Sequence, residues 1–112
     1  MEIPIPDEQS LERYEQVLAE LQLRQSGIVS KKMFGSPSLM IGGKPFAGLR
    51  GEEMIFKLDG EAHAMAIALE GAKAFDPMGG RPMKAWVQVE PEHSELWLDL
   101  AEEALERHLA RL

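Results

Sequence analysis

Residues 32–47 constrain the fold more than any other part of this sequence, because two short apolar segments meet there at closely spaced glycine and proline residues. Gly42-Gly43 is typical of the two-residue loop of a β-hairpin, whose central positions need positive φ. Gly35-Ser36-Pro37 predicts a tight turn that ends the preceding strand, since proline supplies no N–H to a sheet. The stretch therefore predicts the start of an antiparallel sheet.

Helical periodicity lies on both sides of this stretch. The pattern predicts helices at residues 8–24, 61–70 and from Pro91 to the C-terminus, and strands at residues 28–34, 39–41, 44–49, 54–58 and 85–89. Pro45 places its strand at a sheet edge or at a strand start, and residues 75–83 read as the longest loop. We therefore expect one α+β domain over residues 1–112, with a mostly antiparallel five-stranded sheet, helices packed against it and the order α-β-β-β-β-α-β-α.

The net charge of −7 is unevenly distributed. Residues 1–30 carry a net −4, residues 31–84 a net +2 and residues 85–112 a net −5. An acidic molecule repels a phosphate backbone, which argues against nucleic acid as a partner. No apolar run is long enough to span a bilayer, so we expect no membrane association. The first residues do not resemble a signal peptide, and the cytoplasm is the expected location.

No residue pattern predicts catalysis. The chain has no cysteine, and its three histidines, His63, His93 and His108, show no metal-ligand spacing, so we expect no metal and no cofactor. We expect them to be exposed or at element edges. Ser36 lacks the glycine that a nucleophile elbow places two residues later and reads as a turn residue. The sequence therefore predicts a protein that is not an enzyme.

The loop at residues 75–84 offers a possible ligand site. Gly79-Gly80-Arg81 could form a small anion cradle, because consecutive backbone N–H groups beside a guanidinium bind phosphate or carboxylate. A simple turn explains the same residues. If a ligand site exists, Lys32, Arg81 and Lys84 are the residues we expect to form it.

The chain contains six internal methionines, and methionine either fills gaps in a core or forms an adaptable binding surface. Strand-borne methionines are expected in the core. Met78 and Met83, on the predicted loop, are the candidates for an interaction surface.

Several motifs together resemble the N-terminal domain family of TfoX (Sxy), the competence regulators. They are Lys32-Met33-Phe34-Gly35, Gly43-Lys44-Pro45-Phe46-Ala47, Phe56-Lys57-Leu58, Phe75-Asp76-Pro77, Gly80-Arg81-Pro82-Met83, Trp86-Val87 and Leu100-Ala101-Glu102-Glu103-Ala104-Leu105. The resemblance implies a stand-alone bacterial domain with an α+β fold and no catalytic residues. Under this resemblance we expect a domain that stands without the C-terminal, DNA-binding-like domain of the full-length regulators.

Three functions follow as hypotheses. The first is a non-enzymatic regulatory or protein-interaction module with a protein partner. The alternative is a binder of a small anionic ligand or nucleotide at residues 75–84, and weak nucleic-acid binding is the third. A homodimer formed through an exposed edge strand near Pro45 is left open.

Overall fold

The computed structural model describes residues 6–33, 35–77 and 79–112. In that part of the chain the helices are α1 (Glu8–Arg24), α2 (Gly60–Ile67) and α3 (Trp97–Leu109). The strands are β1 (Val29–Met33), β2 (Ser36–Ile41), β3 (Lys44–Arg50), β4 (Glu53–Lys57), β5 (Lys73–Phe75) and β6 (Met83–Val89). A 3-10 helical segment at Pro91–Leu96 leads into α3. The predicted α+β class is confirmed.

The strands form one antiparallel sheet in the order β1-β2-β3-β4-β6-β5. Five strands were expected and the sheet has six within the described residues, because β5 lies in a segment without periodicity. Its three residues pair with β6 along the sheet edge. The predicted loop is correspondingly shorter, since Phe75 belongs to β5 and Met83 begins β6.

Helix α1 begins and ends where the sequence predicts. The Asp7 carboxylate accepts a hydrogen bond from the Ser10 backbone N–H at 3.2 Å and so caps the first turn. The stripe Tyr14, Val17 and Leu21 is buried against the sheet. The apolar spacing thus fixes which face of the helix enters the core.

The hairpin between β2 and β3 is the predicted one. Gly42 and Gly43 have φ of +64° and +78°, as a two-residue loop of this kind requires. Just beyond it the register shifts, because Met40 lies opposite Pro45 whereas Leu39 lies opposite Ala47. Phe46 is the extra residue of this β-bulge, and both Phe46 and Ala47 are buried in the core.

The prediction of a tight turn over Gly35-Ser36-Pro37 is wrong in its extent. Strand β2 already begins at Ser36, and Pro37 lies opposite Lys32 of β1. Proline is tolerated near a strand start, so the turn needs fewer residues than the sequence suggested. Ser36 is consequently a buried strand residue rather than a turn residue. Phe34, expected at the end of β1, lies outside the described residues.

Pro45 is the second residue of β3, which confirms the strand-start alternative. The edge alternative is wrong, because β3 lies between β2 and β4. An edge strand near Pro45 is therefore not available for a homodimer, and the edges of the sheet are β1 and β5. Dimerisation itself stays a prediction.

In the described part of the chain, helices cover one face of the sheet and leave the other uncovered. Met54 and Phe56 point into the main core, which also contains the buried residues of all three helices. Ile55, between them, belongs to a second cluster that contains no helix residue. Because side chains alternate along a strand, this second cluster lies on the opposite face, here called the open face.

Candidate functional site

The first candidate surface is a groove between α2 and α3. Ala62 and Ala66 of α2 are buried in the main core. Met65 lies on the same helix with 67% of its surface exposed, although the next residue, Ala66, packs into the core. Large exposed apolar side chains of this kind mark interaction sites when they lie beside an apolar depression.

This α2–α3 groove has a volume of about 330 Å³. Its apolar lining consists of Ala62, Met65, Ala66, Leu69, Leu96 and Leu100. Its charged rim consists of Glu61, Asp99, Glu103 and Arg107. The alanines of α2 leave depth between the helices, and the rim is predominantly acidic.

One end of the groove is fixed by ion pairs. Arg107 Nε lies 2.9 Å from Asp59 Oδ1, and its Nη1 lies 2.6 Å from Glu103 Oε1. Arg111 also pairs with Asp59, the residue that precedes α2. The guanidinium groups of Arg111 and Arg107 lower the pKa of the Asp59 carboxyl, and Glu103 with Asp59 raises the pKa of Arg107. The start of α2 is thereby tied to the last turns of α3.

The second candidate surface is on the open face. Ile55, Phe75 and Trp86 are buried there, with Met33 and Met83 packed against them. The irregular pairing of β5 with β6 puts Met83 opposite Phe75. Met83, predicted to lie on a surface, is half-buried in this cluster, and Met78, predicted with it, lies outside the described residues.

A pocket of about 570 Å³ adjoins this cluster and contains Arg50, Lys73 and Gln88 in its lining. The Arg50 guanidinium carbon lies 5.2 Å from the centre of the Phe75 ring, and its Nη1 lies 3.5 Å from Ser36 Oγ. Partial burial lowers the pKa of Arg50 from its ordinary value, and an arginine remains charged at neutral pH.

At Gly79-Gly80-Arg81, where an anion cradle was predicted, the backbone N–H groups already share an acceptor within the protein. The three backbone N–H groups donate to one oxygen, Asp76 Oδ1, at 2.8, 3.0 and 3.3 Å respectively. The anion that they hold is therefore a carboxylate of the same loop. The sequence contains the signal for this arrangement, because an aspartate a few residues before glycines commonly accepts their N–H groups.

The three predicted ligand residues are all exposed. Arg81 lies in the loop and Lys84 lies in β6, close to each other in the sequence. Lys32 lies in β1, and strands β2, β3 and β4 separate it from β6. Lys32 is therefore remote in the sheet from Arg81 and Lys84, and the site formed by the three residues stays a prediction. Sequence reasoning missed Arg50 and Lys73 as pocket residues.

The histidines differ from one another. His108 was expected to be exposed or at an edge and is in fact buried, with Nε2 2.9 Å from the Ile41 carbonyl oxygen and its ring against Phe46. His63 and His93 place Nε2 at 2.8 and 3.0 Å from the backbone oxygens of Lys84 and Glu70. Each ring thus contacts a backbone carbonyl of another element. Across residues 6–33, 35–77 and 79–112, no three histidine or acidic side chains are grouped so as to hold a metal ion.

The fold and these two surfaces define a small α+β domain in which all three described helices pack on the same face of an antiparallel sheet. No helix in the described part of the chain is long and apolar enough to cross a membrane. A comparison with family models matches residues 19–108 to the TfoX N-terminal domain. The chain therefore belongs to the TfoX N-terminal domain family. Searches of curated proteins and of solved structures found no match.

Proposed function

We propose that this chain is a non-enzymatic regulatory module that acts by binding another protein in the bacterial cytoplasm. Membership of the TfoX N-terminal domain family supports the regulatory part of the proposal. The observation that carries the interaction part is the α2–α3 groove, where Met65 is 67% exposed above an apolar lining. The groove is the docking site in this proposal.

The occupant that fits the groove best is an amphipathic helix. An apolar groove between two helices accepts an amphipathic helix, whose apolar side chains at i, i+3, i+4 and i+7 enter the depression. The thioether of Met65 adapts to different side-chain shapes, as methionine does on many binding surfaces. The ion pairs of Asp59 with Arg107 and Arg111 join the start of α2 to the end of α3 before a partner binds, which lowers the entropic cost of binding.

Charge complementarity determines which amphipathic helix fits. Glu61 and Asp99 lie on the rim, and residues 85–112 carry a net charge of −5. Arg107 is the basic residue of the rim and is paired with Glu103 and Asp59. A partner helix with lysine or arginine flanking its apolar face would be attracted, and an acidic helix would be repelled. The proposed partner is therefore a cationic amphipathic helix.

The remaining hypotheses differ in their support. Binding of a small anion is supported by one specific observation, the cations Arg50 and Lys73 in the lining of the open-face pocket. No specific observation supports nucleic-acid binding. Strands β2, β3 and β4 lie between Lys32 and Lys84, and the net charge of −7 opposes a phosphate backbone.

Co-purification of a tagged full chain from cells of its natural host tests the proposal. We expect one partner to co-purify with the natural sequence and to be lost with Met65→Glu, since a carboxylate would be buried unpaired in the groove. Leu23→Glu is the matched control, because Leu23 is 82% exposed on α1, a helix that contributes nothing to the groove lining. Equal recovery with both variants, or no partner above the untagged background, would contradict the proposed docking site.

A further inference from the structure

We infer that the pocket on the open face binds a small organic carboxylate that carries an apolar or aromatic group. This site is separate from the α2–α3 groove and is not formed by Lys32, Arg81 and Lys84. Its lining combines the cations Arg50 and Lys73 with the amide of Gln88, the ring of Phe75 and the apolar atoms of Ala74 and Pro82. Concave sites with a few convergent polar groups on an apolar base are typical of small-molecule binding.

Arg50 is positioned before any ligand arrives. It is the last residue of β3, so its backbone is held by the sheet. The Phe75 ring and the Ser36 hydroxyl contact its guanidinium from two sides. A guanidinium stacked on an aromatic ring keeps the donors at its edge in a fixed plane, and that plane matches the two oxygens of a carboxylate.

The sheet supplies the second cation from another strand. Lys73 lies in β5 and pairs in register with Gln88 of β6, which in turn lies opposite Ile55 of β4. Both Arg50 and Lys73 line the same pocket although 23 positions separate them in the sequence. A carboxylate in the pocket thus meets a fixed planar donor and a mobile point charge.

The acids near the pocket are engaged in contacts of their own. Asp76 Oδ1 accepts the backbone N–H groups of the loop that follows it. Glu53 Oε1 accepts a hydrogen bond from Gln88 Nε2 at 2.5 Å. The Asp76 carboxylate is thereby held to its own loop and the Glu53 carboxylate to the neighbouring strand β6, and the Glu53 contact orients Gln88 beside the pocket.

The size and charge of the pocket select among anions. Its volume of about 570 Å³ admits a small molecule with a ring. Two cations and Asp76 in the lining favour one negative charge, and the net charge of −7 opposes polyanions. Phe75, Ala74 and Pro82 add apolar contact that inorganic phosphate cannot use. A monocarboxylate with an apolar body satisfies all of these features.

Titration of the intact, isotope-labelled chain with phenylacetate, followed by amide chemical shifts, tests this inference. We expect saturable shifts at Arg50, at residues 73–75 and at Gln88, with a Kd of about 1 mM, as expected for a ligand of roughly ten non-hydrogen atoms. Phenylacetamide lacks the charge, acetate lacks the ring, and inorganic phosphate lacks the apolar body. Each is expected to bind at least about tenfold more weakly.

Three variants locate the site. Arg50→Lys keeps the charge but loses the planar fork, and we expect binding to weaken about tenfold. Lys73→Gln changes an exposed residue and is expected to weaken binding about threefold. Arg81→Lys is the matched control and is expected to change nothing. The inference is overturned if phenylacetate causes no saturable shifts, if phenylacetamide binds as well, or if binding depends on Arg81 rather than on Arg50 and Lys73.

Discussion

Tyr14 is the side chain through which α1 contacts the edge strand β1. Its hydroxyl lies 2.7 Å from the Ser30 hydroxyl, and only 1% of the residue is exposed. Burial raises the pKa of Tyr14 to about 12, because the phenolate would be separated from water. The neutral phenol is therefore favoured in the folded state over the unfolded one.

This pKa predicts a pH dependence of the free energy of unfolding. Below about pH 10 both states hold the phenolic proton, whereas between about pH 10 and 12 the unfolded state releases it first, so stability falls as the pH rises. The full effect is about 2–3 kcal/mol. The Tyr14→Phe variant lacks this pH-dependent loss of stability, because it has no ionisable phenol. It also lacks the hydrogen bond to Ser30, so it should be about 1 kcal/mol less stable at pH 9.

Urea denaturation at several pH values measures this difference. The difference in the free energy of unfolding between the natural sequence and Tyr14→Phe should shrink to zero and then change sign as the pH rises through 10 toward 12. A gap that stays constant over the same range would show that the phenol ionises equally easily in both states. The lysines titrate in this range in both proteins and cancel in the comparison.

Among the elements, the loop between β5 and β6 contains three backbone N–H groups that share one side-chain acceptor. Asp76 Oδ1 accepts from the backbone N–H groups of Gly79, Gly80 and Arg81. We expect Asp76→Ala to speed amide hydrogen exchange at these three residues about tenfold, because each amide loses a charge-assisted acceptor. Asp76→Asn retains an oxygen acceptor without the charge and should give an intermediate rate. Unchanged exchange in the alanine variant would contradict this role of Asp76.

The elements also show how far sequence patterns reach. Long periodic segments such as α1, and the hairpin at Gly42-Gly43, were predicted because their signals are local. Strand β5 has three residues and exists only through pairing with β6, so periodicity cannot reveal it. At the last helix Pro91 marked a helical start correctly. The backbone of His93 (φ −106°, ψ 23°) nevertheless interrupts the helix, and α3 begins at Trp97.

The candidate sites were harder to predict than the elements. Met65 lies in a segment that the sequence predicts to be helical, but its exposure is set by how α2 and α3 pack in the folded chain. Arg50 lies just after the strand predicted at residues 44–49, and its contact with Phe75 joins residues 25 positions apart. Both sites depend on tertiary contacts, and single-residue patterns contain no information about these.

At the scale of the whole molecule, the sheet lies between the two proposed sites. Helices cover one face and form the α2–α3 groove among themselves, while the open face carries the Arg50 pocket. The acidic terminal segments supply α1 and α3, so the helix side repels anions and attracts cationic partners. Occupation of one site therefore leaves the other accessible, and the two proposals can be tested independently.

Site-specific photo-crosslinking tests the central claim, which is that the α2–α3 groove binds a cationic amphipathic helix. A benzophenone side chain at position 65 of the full chain, irradiated in cells of the natural host, should cross-link one protein. Mass spectrometry should place the cross-link in a helical segment rich in lysine or arginine. The same group at position 23 should give no such product. Equal cross-linking at both positions, or an acidic segment at position 65, would contradict the account.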